Sequence, residues 1–549
     1  MSDVKNSNEF GMRESWGTRL GVILAVAGSA VGLGNFLRFP GVAVQNGGGA
    51  FMIPYFLAFL LLGIPICWVE WIMGRRAGRL SGLSSAPGLF GVLTNGGKIR
   101  YLAALGLFVP VIIYMYYVYI ESWCLAYTWF SLSRALELHG QGQEAYAQFF
   151  QEFTGIIHPE NPTYFSGIYI TYAFFIFTFV ANFFLIYRGL SRGIERFCRV
   201  AMPLLVIMAV IIVVRVLTLG TPFADKPEQN VINGLGFMWN PRWEQLLDAK
   251  VWLAACGQIF FSLSVGFGII MTYASYLNKK DDVVLSGLTA SATNEFCEVC
   301  LGGLIIIPAA FVFLGLSHMT EVAEAGTFSL AFVVMPHIFD QMWAGWFFAA
   351  CFFFLLFLAG ITSSLSMLQP AIAFFEEGFG LNRRVSVALL GLLTFIGTNT
   401  IIFSPGLTVM DTVDNYASNI GIPLLALFEV VVFVYILRVS QGMKEATYGA
   451  DMPLPRIFGF VITYITPVFL LVILGSWIYQ QVDLYFFGDW VPYAQLTSEE
   501  KGVYKLKQYS ITFMIGFFLF LVLLQSLAWP RMQRRYYAYQ KALSEEELD

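Results

Sequence analysis

Gly28-Ser29-Ala30-Val31-Gly32-Leu33-Gly34-Asn35 and Ser262-Leu263-Ser264-Val265-Gly266-Phe267-Gly268 decide how this chain reads. Both contain V-G-[LF]-G, at 31–34 and 265–268, in the middle of a long apolar run. Two glycines within a turn weaken a helix by roughly 1 kcal/mol each against alanine. One such stretch alone reads as close helix packing, because glycine is common in membrane helices. Two matched stretches, at the same place in two halves of the chain, read as working breaks. Non-helical backbone is tolerated at membrane depth only where protein or a cavity surrounds it. Its bare carbonyls suit a cation, and half-helix N-termini suit an anion such as a carboxylate. Such a pair of breaks can build a site for a small anionic or zwitterionic solute beside a metal cation.

The rest of the chain supports a membrane setting. Of 549 residues, 57% are hydrophobic and 12% charged, against roughly 25% charged in a soluble domain, and the mean hydropathy is +0.68. A soluble enzyme of this size is excluded on that ground. With a net charge of −4, no basic surface suits a nucleic acid. Seven scattered cysteines do not read as a disulfide framework. Six lie in apolar runs and Cys198 in a basic loop, and the Cys297–Cys300 CxxC has no histidine near it, so it reads as two reduced thiols. The polar first 15 residues carry no signal-peptide pattern.

A helix needs about 20 apolar residues to cross ~30 Å of hydrocarbon. Twelve candidate spans follow: 18–40, 47–73, 99–131, 166–187, 198–218, 250–276, 283–315, 343–376, 385–404, 407–437, 457–480 and 508–529. The fold class is all-α and integral to the membrane. Each break lies in the first helix of a five-helix set, helices 1–5 over 16–217 and helices 6–10 over 250–437, with two C-terminal helices over 454–532. An odd number of spans per set makes the second an inverted repeat of the first. The short loops carrying Arg75, Arg76, Arg79, Arg188, Arg192, Lys279, Lys280, Arg383 and Arg384 are assigned to the cytoplasm, whereas the loop at 316–342 has no Lys or Arg. Both termini are then cytoplasmic, and the localisation is the plasma (inner) membrane. The polar stretches at 132–165, 219–249 and 481–507 face outside, and 322–342 suits small lid helices.

WGTRLGVILAVAGSAVGLGNFLRFP at 16–40 closely resembles the neurotransmitter:sodium symporter family. So do NGGGAFMIPY at 46–55, YYVYIESW at 116–123, GQIFFSLSVGFG at 257–268, SGLTA at 286–290 with Asn294, and AGITSS at 359–364. The resemblance runs through nearly all the spans and fades in the 132–165 loop and the last two helices. It implies two sodium ions, bound by neutral oxygens that hold a hard cation loosely enough to release it. The first site takes Ala30, Asn35, Ser262 and Asn294, completed by the solute carboxylate; serine stands at 262 where the family usually has threonine. The second takes Gly28, Val31, Ala359, Thr362 and Ser363.

By the same resemblance the solute pocket comprises Ser29, Ala30, Leu33, Gly34, Ile113, Tyr117, Phe261, Ser262, Ser264, Phe267, Ser363 and Met367. Leu33 and Gly34 amides with the Tyr117 hydroxyl hold the carboxylate. The backbone of Phe261 and Ser262, with Ser264, holds the ammonium. Ile113, Phe267 and Met367 make the side-chain end apolar. Neutral Ser29, where amine carriers of the family place an aspartate, favours an amino acid that brings its own carboxylate. Arg38, Asp411 and Gln258 form the outer gate with Phe261 as lid, and Asp414 is a rival partner. Arg13, Glu377 and Tyr276 form the inner gate.

Glu70, Glu121 and Glu298 lie inside apolar segments, where an acid is costly and by default functional. Glu298 shares a helix face with Asn294, four residues earlier, at a position that is small and neutral in chloride-dependent relatives. Its carboxylate replaces chloride in this reading and can take a proton on the return step. Glu70 and Glu121 read as structural hydrogen-bond partners. The expected function is sodium-coupled import of a neutral, hydrophobic amino acid by alternating access, independent of chloride, with the lipid bilayer as surroundings. A homodimer is compatible with this reading. An amino-acid sensor or a ligand-gated channel on the same scaffold is the alternative. No HExxH, GxSxG or clustered His–acid set marks an enzyme.

Overall fold

The computed structural model describes residues 16–155, 168–324, 326–404, 406–486 and 497–546. These residues form helices and, among them, no strand. Ten helices are long and apolar enough to cross a membrane, or eleven when the bent pair Arg19–Ala30 and Gly34–Gln45, which meet at 45°, is taken as one span.

The glycine pairs act as the sequence predicts. The first helix stops at Ala30, and the chain resumes as a π-helical turn over Gly34–Arg38. The second break divides Ala249–Leu263 from Ile269–Ser275. Ser264 (φ 54°), Gly266 (φ 74°) and Gly268 (φ 74°) all sit in the left-handed region, which an L-residue other than glycine adopts at a cost.

At the centre of the molecule, Lys98–Leu132 and Gly345–Phe379 pack along most of their length. Their apolar side chains are buried from Leu105 to Tyr127 and from Phe352 to Phe374 with few interruptions. Tyr169–Tyr187, Leu190–Leu217, Ile457–Gln480 and Glu500–Ser544 form the periphery, with large apolar side chains such as Phe177, Val200, Leu471 and Leu523 exposed. An apolar surface of this extent on a water-soluble protein would be a liability. Here it is the face turned to lipid.

Several boundaries differ from the sequence reading. The fifth predicted span begins at Leu190, eight residues early, and so encloses Cys198, which is buried in a helix and not in a basic loop. The seventh continues from 315 to Glu324 through a kink at Gly315, whose φ of 74° lets the chain turn without ending. The tenth reaches Thr447 and the last runs over Ser498–Glu546, because helices continue past the apolar stretch into polar sequence. Helices at Gly142–Thr154 and Leu330–Asp340 cover one end of the bundle, and Phe150 stacks on Phe332. All seven cysteines are free.

Candidate functional site

The two breaks meet beside the central helices. The Leu33 N–H, freed by the first break, donates to the Tyr117 hydroxyl at 2.8 Å. The Gly32 N–H donates to Asn35 Oδ1 at 2.8 Å, closing a small turn. Ser264, in the second break, donates its hydroxyl to the Ser29 carbonyl at 3.1 Å and so links the two breaks directly.

Three of the four residues expected at the first ion site are hydrogen-bonded together. Asn35 Nδ2 donates to Asn294 Oδ1 at 2.9 Å, and Asn294 Nδ2 donates to Ser262 Oγ at 2.6 Å. Glu298 anchors this knot. It accepts from Gln258 Nε2 at 2.5 Å, from the Ser262 hydroxyl, and from Asn35 and Asn294 at 3.4 Å each. Glu298 lies in a π-helical turn, Phe296–Gly303, packed against the π-helical turn that follows the first break. Such turns recur where a side chain must be re-aimed into a site.

Of the residues expected at the second ion site, Ser363 is joined to Gly28, while Thr362 and Ala359 bond each other within one helix. Ser363 Oγ donates to the carbonyls of Gly28 (3.3 Å) and Ser29 (3.1 Å), and Thr362 Oγ1 to those of Leu358 and Ala359 (3.0 Å each). The Thr362 hydroxyl thus bonds its own helix, and the Ser363 hydroxyl bonds the first break. Ser29 donates to Ser366 Oγ at 2.7 Å, and Ser366 in turn to the Ser363 carbonyl. Ser366 was not part of the expected pocket; being three residues beyond Ser363, it shares that face of the helix.

Ile113, Phe267 and Met367 are buried. Phe261 and Phe267 approach at 6.4 Å between ring centroids. A cavity of about 630 Å³ is lined by Leu33, Gly34, Tyr117 and Phe261 of the expected pocket together with Arg38, Asp411 and Asp414, whereas Ile113, Phe267 and Met367 are not part of its lining. The Arg38 guanidinium lies 4.6 Å from the centre of the Phe261 ring. Among the described residues no ion pair joins Arg38 to Asp411, and Arg38 Nη1 has no partner. Asp414 is held by the Tyr116 hydroxyl at 2.5 Å and the Ser418 hydroxyl at 2.8 Å. Gln258, expected at the outer gate, gives its amide to Glu298.

At the opposite end Glu377 accepts from the N–H groups of Ser84 and Ser85 (2.6 and 3.1 Å) and from the Ser85 hydroxyl at 2.7 Å. Tyr276 accepts from Gln369 at 2.9 Å. Arg13, the expected partner of Glu377 across the inner gate, lies outside the described residues. Two other contacts fasten the first helix there. Trp16 Nε1 donates to the Tyr273 carbonyl at 3.0 Å, and buried Glu195 accepts from the Gly17 N–H at 2.8 Å and the Thr18 hydroxyl at 3.0 Å.

Of the other embedded acids, Glu121 accepts from Asn182 (2.9 Å) and Ser364 (2.6 Å). Glu70 accepts from the Gly266 N–H at 2.6 Å, inside the second break. Two more were missed. Glu429 is fully buried against Glu70, and Glu295 sits beside Glu298 and Tyr55. The rule applied to Glu298 would have found both, since each is an acid within a predicted span.

A many-pass helical bundle in which two broken helices meet is the architecture of a class of membrane solute carrier. The family model of the Sodium:neurotransmitter symporter family matches residues 13–146 and 170–522, and the chain belongs to that family. A sodium-dependent transporter of Methanocaldococcus jannaschii is 29% identical over 83% of this chain and 89% of its own length. The sodium- and chloride-dependent glycine transporter 2 of Xenopus laevis is 27% identical over 85% of this chain and 64% of its own. The crystal structure of MhsT in complex with L-phenylalanine is similar with a TM-score of 0.72 and 31% identity, covering 84% of this chain and 99% of that one.

Proposed function

We propose that this chain is a sodium-coupled symporter that imports a neutral, hydrophobic amino acid by alternating access, without chloride. The observation that carries the reading is the knot of Asn35, Ser262, Asn294 and Glu298, which ties the first break, the helix entering the second and a third helix around two amides, a hydroxyl and a carboxylate. A solute carboxylate placed at the Leu33 N–H and the Tyr117 hydroxyl would border that knot, so that ion and solute complete one another's sites. Ser29 keeps the pocket neutral, and Ile113, Phe267 and Met367 give it an apolar end; burying one apolar side chain there contributes ~1.5–3 kcal/mol. L-Phenylalanine in MhsT supports the same solute class.

In this reading the bent pair and the pair Ala249–Leu263 and Ile269–Ser275 each count as one span. The chain then has twelve spans, with helices 1–5 and 6–10 as inverted repeats and both termini cytoplasmic in the plasma membrane. Two sodium ions occupy the sites named above. Sodium favours the form open to the 630 Å³ cavity; solute then draws Phe261 and Arg38 over the pocket, and ion release to the cytoplasm opens the other end. Each ligand moves this equilibrium only by its differential affinity for the two forms.

Radiolabelled amino-acid uptake into proteoliposomes, with and without an inward sodium gradient, tests this. Sodium-driven accumulation of hydrophobic amino acids is expected. Binding without accumulation would replace the symporter with a sensor, and conductance in single channels would replace it with a ligand-gated channel.

A further inference from the structure

A second cavity, of about 210 Å³, lies behind the first. Its walls come from four helices, Lys98–Leu132, Arg383–Ile402, Thr408–Thr447 and Glu500–Ser544. Two of these helices are shared with the 630 Å³ cavity. Val409 and Val413 face the smaller space while Met410, Asp411 and Asp414 face the larger; Ile112 and Met115 face the smaller while Tyr116 and Tyr117 face the larger. One layer of helix therefore separates the two.

The chemistry of the smaller cavity is one-sided. Apart from the Tyr509 phenol at its mouth, its hydroxyls are turned back on their own helices: Thr400 to the Gly397 carbonyl at 2.6 Å, Ser404 to the Thr400 carbonyl at 2.5 Å, and Ser510 to the Leu506 carbonyl at 2.8 Å. What remains is a wall of methyl, methylene and ring carbon. A water needs two to four polar partners, and this wall does not provide them. The space exceeds the roughly 150 Å³ of an apolar cavity that takes benzene. At its mouth Tyr509 is 68% and Phe513 49% exposed on the outer face of the last helix, in the first turns of its predicted membrane span.

We propose that this cavity is a binding site for one acyl chain of a bilayer lipid, and that the chain props the segment carrying Asp411 and Asp414. The occupant follows from the cavity's place on the outer face of the bundle, its walls of apolar carbon apart from the Tyr509 hydroxyl at the mouth, and its room for part of a chain. An occupied cavity holds Val409 and Val413 outward and with them the wall of the vestibule. Emptying or overfilling it shifts that wall. The coupling to solute rests on the transporter reading above; the lipid site itself does not.

The test uses the full chain in nanodiscs of phosphatidylcholine bearing a diazirine in one acyl chain, with adducts mapped by mass spectrometry after photolysis. Adducts are expected to concentrate at 397–413 and 506–513. They should fall about tenfold when the space is filled by Ser510→Phe or by Thr400→Phe, as loss of burial for two methylenes predicts, and persist in Ile515→Phe on the exposed face of the same helix. Labelling spread evenly over the lipid face, or unchanged in both filled variants, overturns the site, as does protection of the mouth by a second copy of the chain. Solute KM in proteoliposomes is then compared. A shift of about threefold or more in a filled variant, with Ile515→Phe unchanged, is expected. Unchanged KM and kcat with lost labelling overturn the coupling, and absence of uptake by the unmodified chain strikes the transporter reading alone.

Discussion

The backbone N–H of Gly266 donates to Glu70 Oε1 at 2.6 Å, across 196 positions of sequence. Gly266 lies in the left-handed region within the second break, where its N–H has no helical partner. In a membrane interior an unpaired N–H is costly, so the break persists because a neighbouring helix supplies an acceptor. Glu70→Ala should cost about 1–3 kcal/mol, the penalty for leaving a buried donor unsatisfied, read as a lower midpoint of unfolding in detergent. Glu70→Gln keeps an acceptor for Gly266 and offers an amide donor to the neighbouring Glu429, so it should stay close to the unmodified chain. Equal losses in the two variants would show that the bond does not hold the break.

Asn294 both accepts from Asn35 and donates to Ser262. Asn294→Ala removes one expected ion ligand and loosens two others. Sodium affinity should fall about tenfold or more, as loss of a buried polar partner predicts. Linkage requires the solute's apparent affinity to fall with it. Calorimetric titration of sodium, with and without solute, measures both. A variant with weakened solute binding and intact sodium dependence would remove Asn294 from the ion site.

Glu298 draws donors from Gln258, Ser262, Asn35 and Asn294 into one buried carboxylate. In the proposed function this carboxylate takes the place of an external anion. Replacing external chloride with gluconate should leave uptake by the unmodified chain unchanged. Glu298→Ser should lower uptake in gluconate by about tenfold or more, consistent with losing a charge-assisted hydrogen-bond set, and recover it in part with chloride. Uptake that stops without chloride in the unmodified chain would reject the assignment.

The sequence showed the breaks because their cause is local: two glycines per turn are visible without neighbours. Ten spans, or eleven with the bent pair, were visible for the same reason, apolar length being a property of a segment. Helix ends were not, since the tenth span runs on to Thr447 and the last helix through Glu546 in polar sequence outside the apolar signal. Cys198 was misplaced because Arg192, Arg196 and Arg199 made a helix start resemble a loop. What the sequence could not show was pairing: Glu70 with Gly266, Ser29 with Ser366, and Glu195 with the start of the first helix join residues distant along the chain. Glu295 and Glu429 were legible as embedded acids, but their significance lies in standing beside Glu298 and Glu70, which only the fold reveals.

Gly32 provides a test in which one methyl group reaches both halves of the site. A Cβ there would lie 2.6 Å from the Tyr117 hydroxyl and 2.7 Å from the Ser363 hydroxyl. Both distances are too short for carbon, and both oxygens belong to side chains fixed on the central helices. Gly32→Ala must therefore push Tyr117 from the Leu33 N–H, Ser363 from the carbonyls of Gly28 and Ser29, or the break from both. Overpacking of this kind costs about 1–3 kcal/mol, so the variant should fold with a modestly lower unfolding midpoint. Solute binding should fall much further, because the carboxylate position and a second-site ion ligand are displaced together. Tyr117→Phe separates the two effects: it removes the hydroxyl without adding volume, and should weaken solute by about tenfold while leaving sodium binding in the absence of solute unchanged. Sodium and solute titrations on both variants check this, and solute affinity preserved in Gly32→Ala would mean that the pocket does not lie between these three residues.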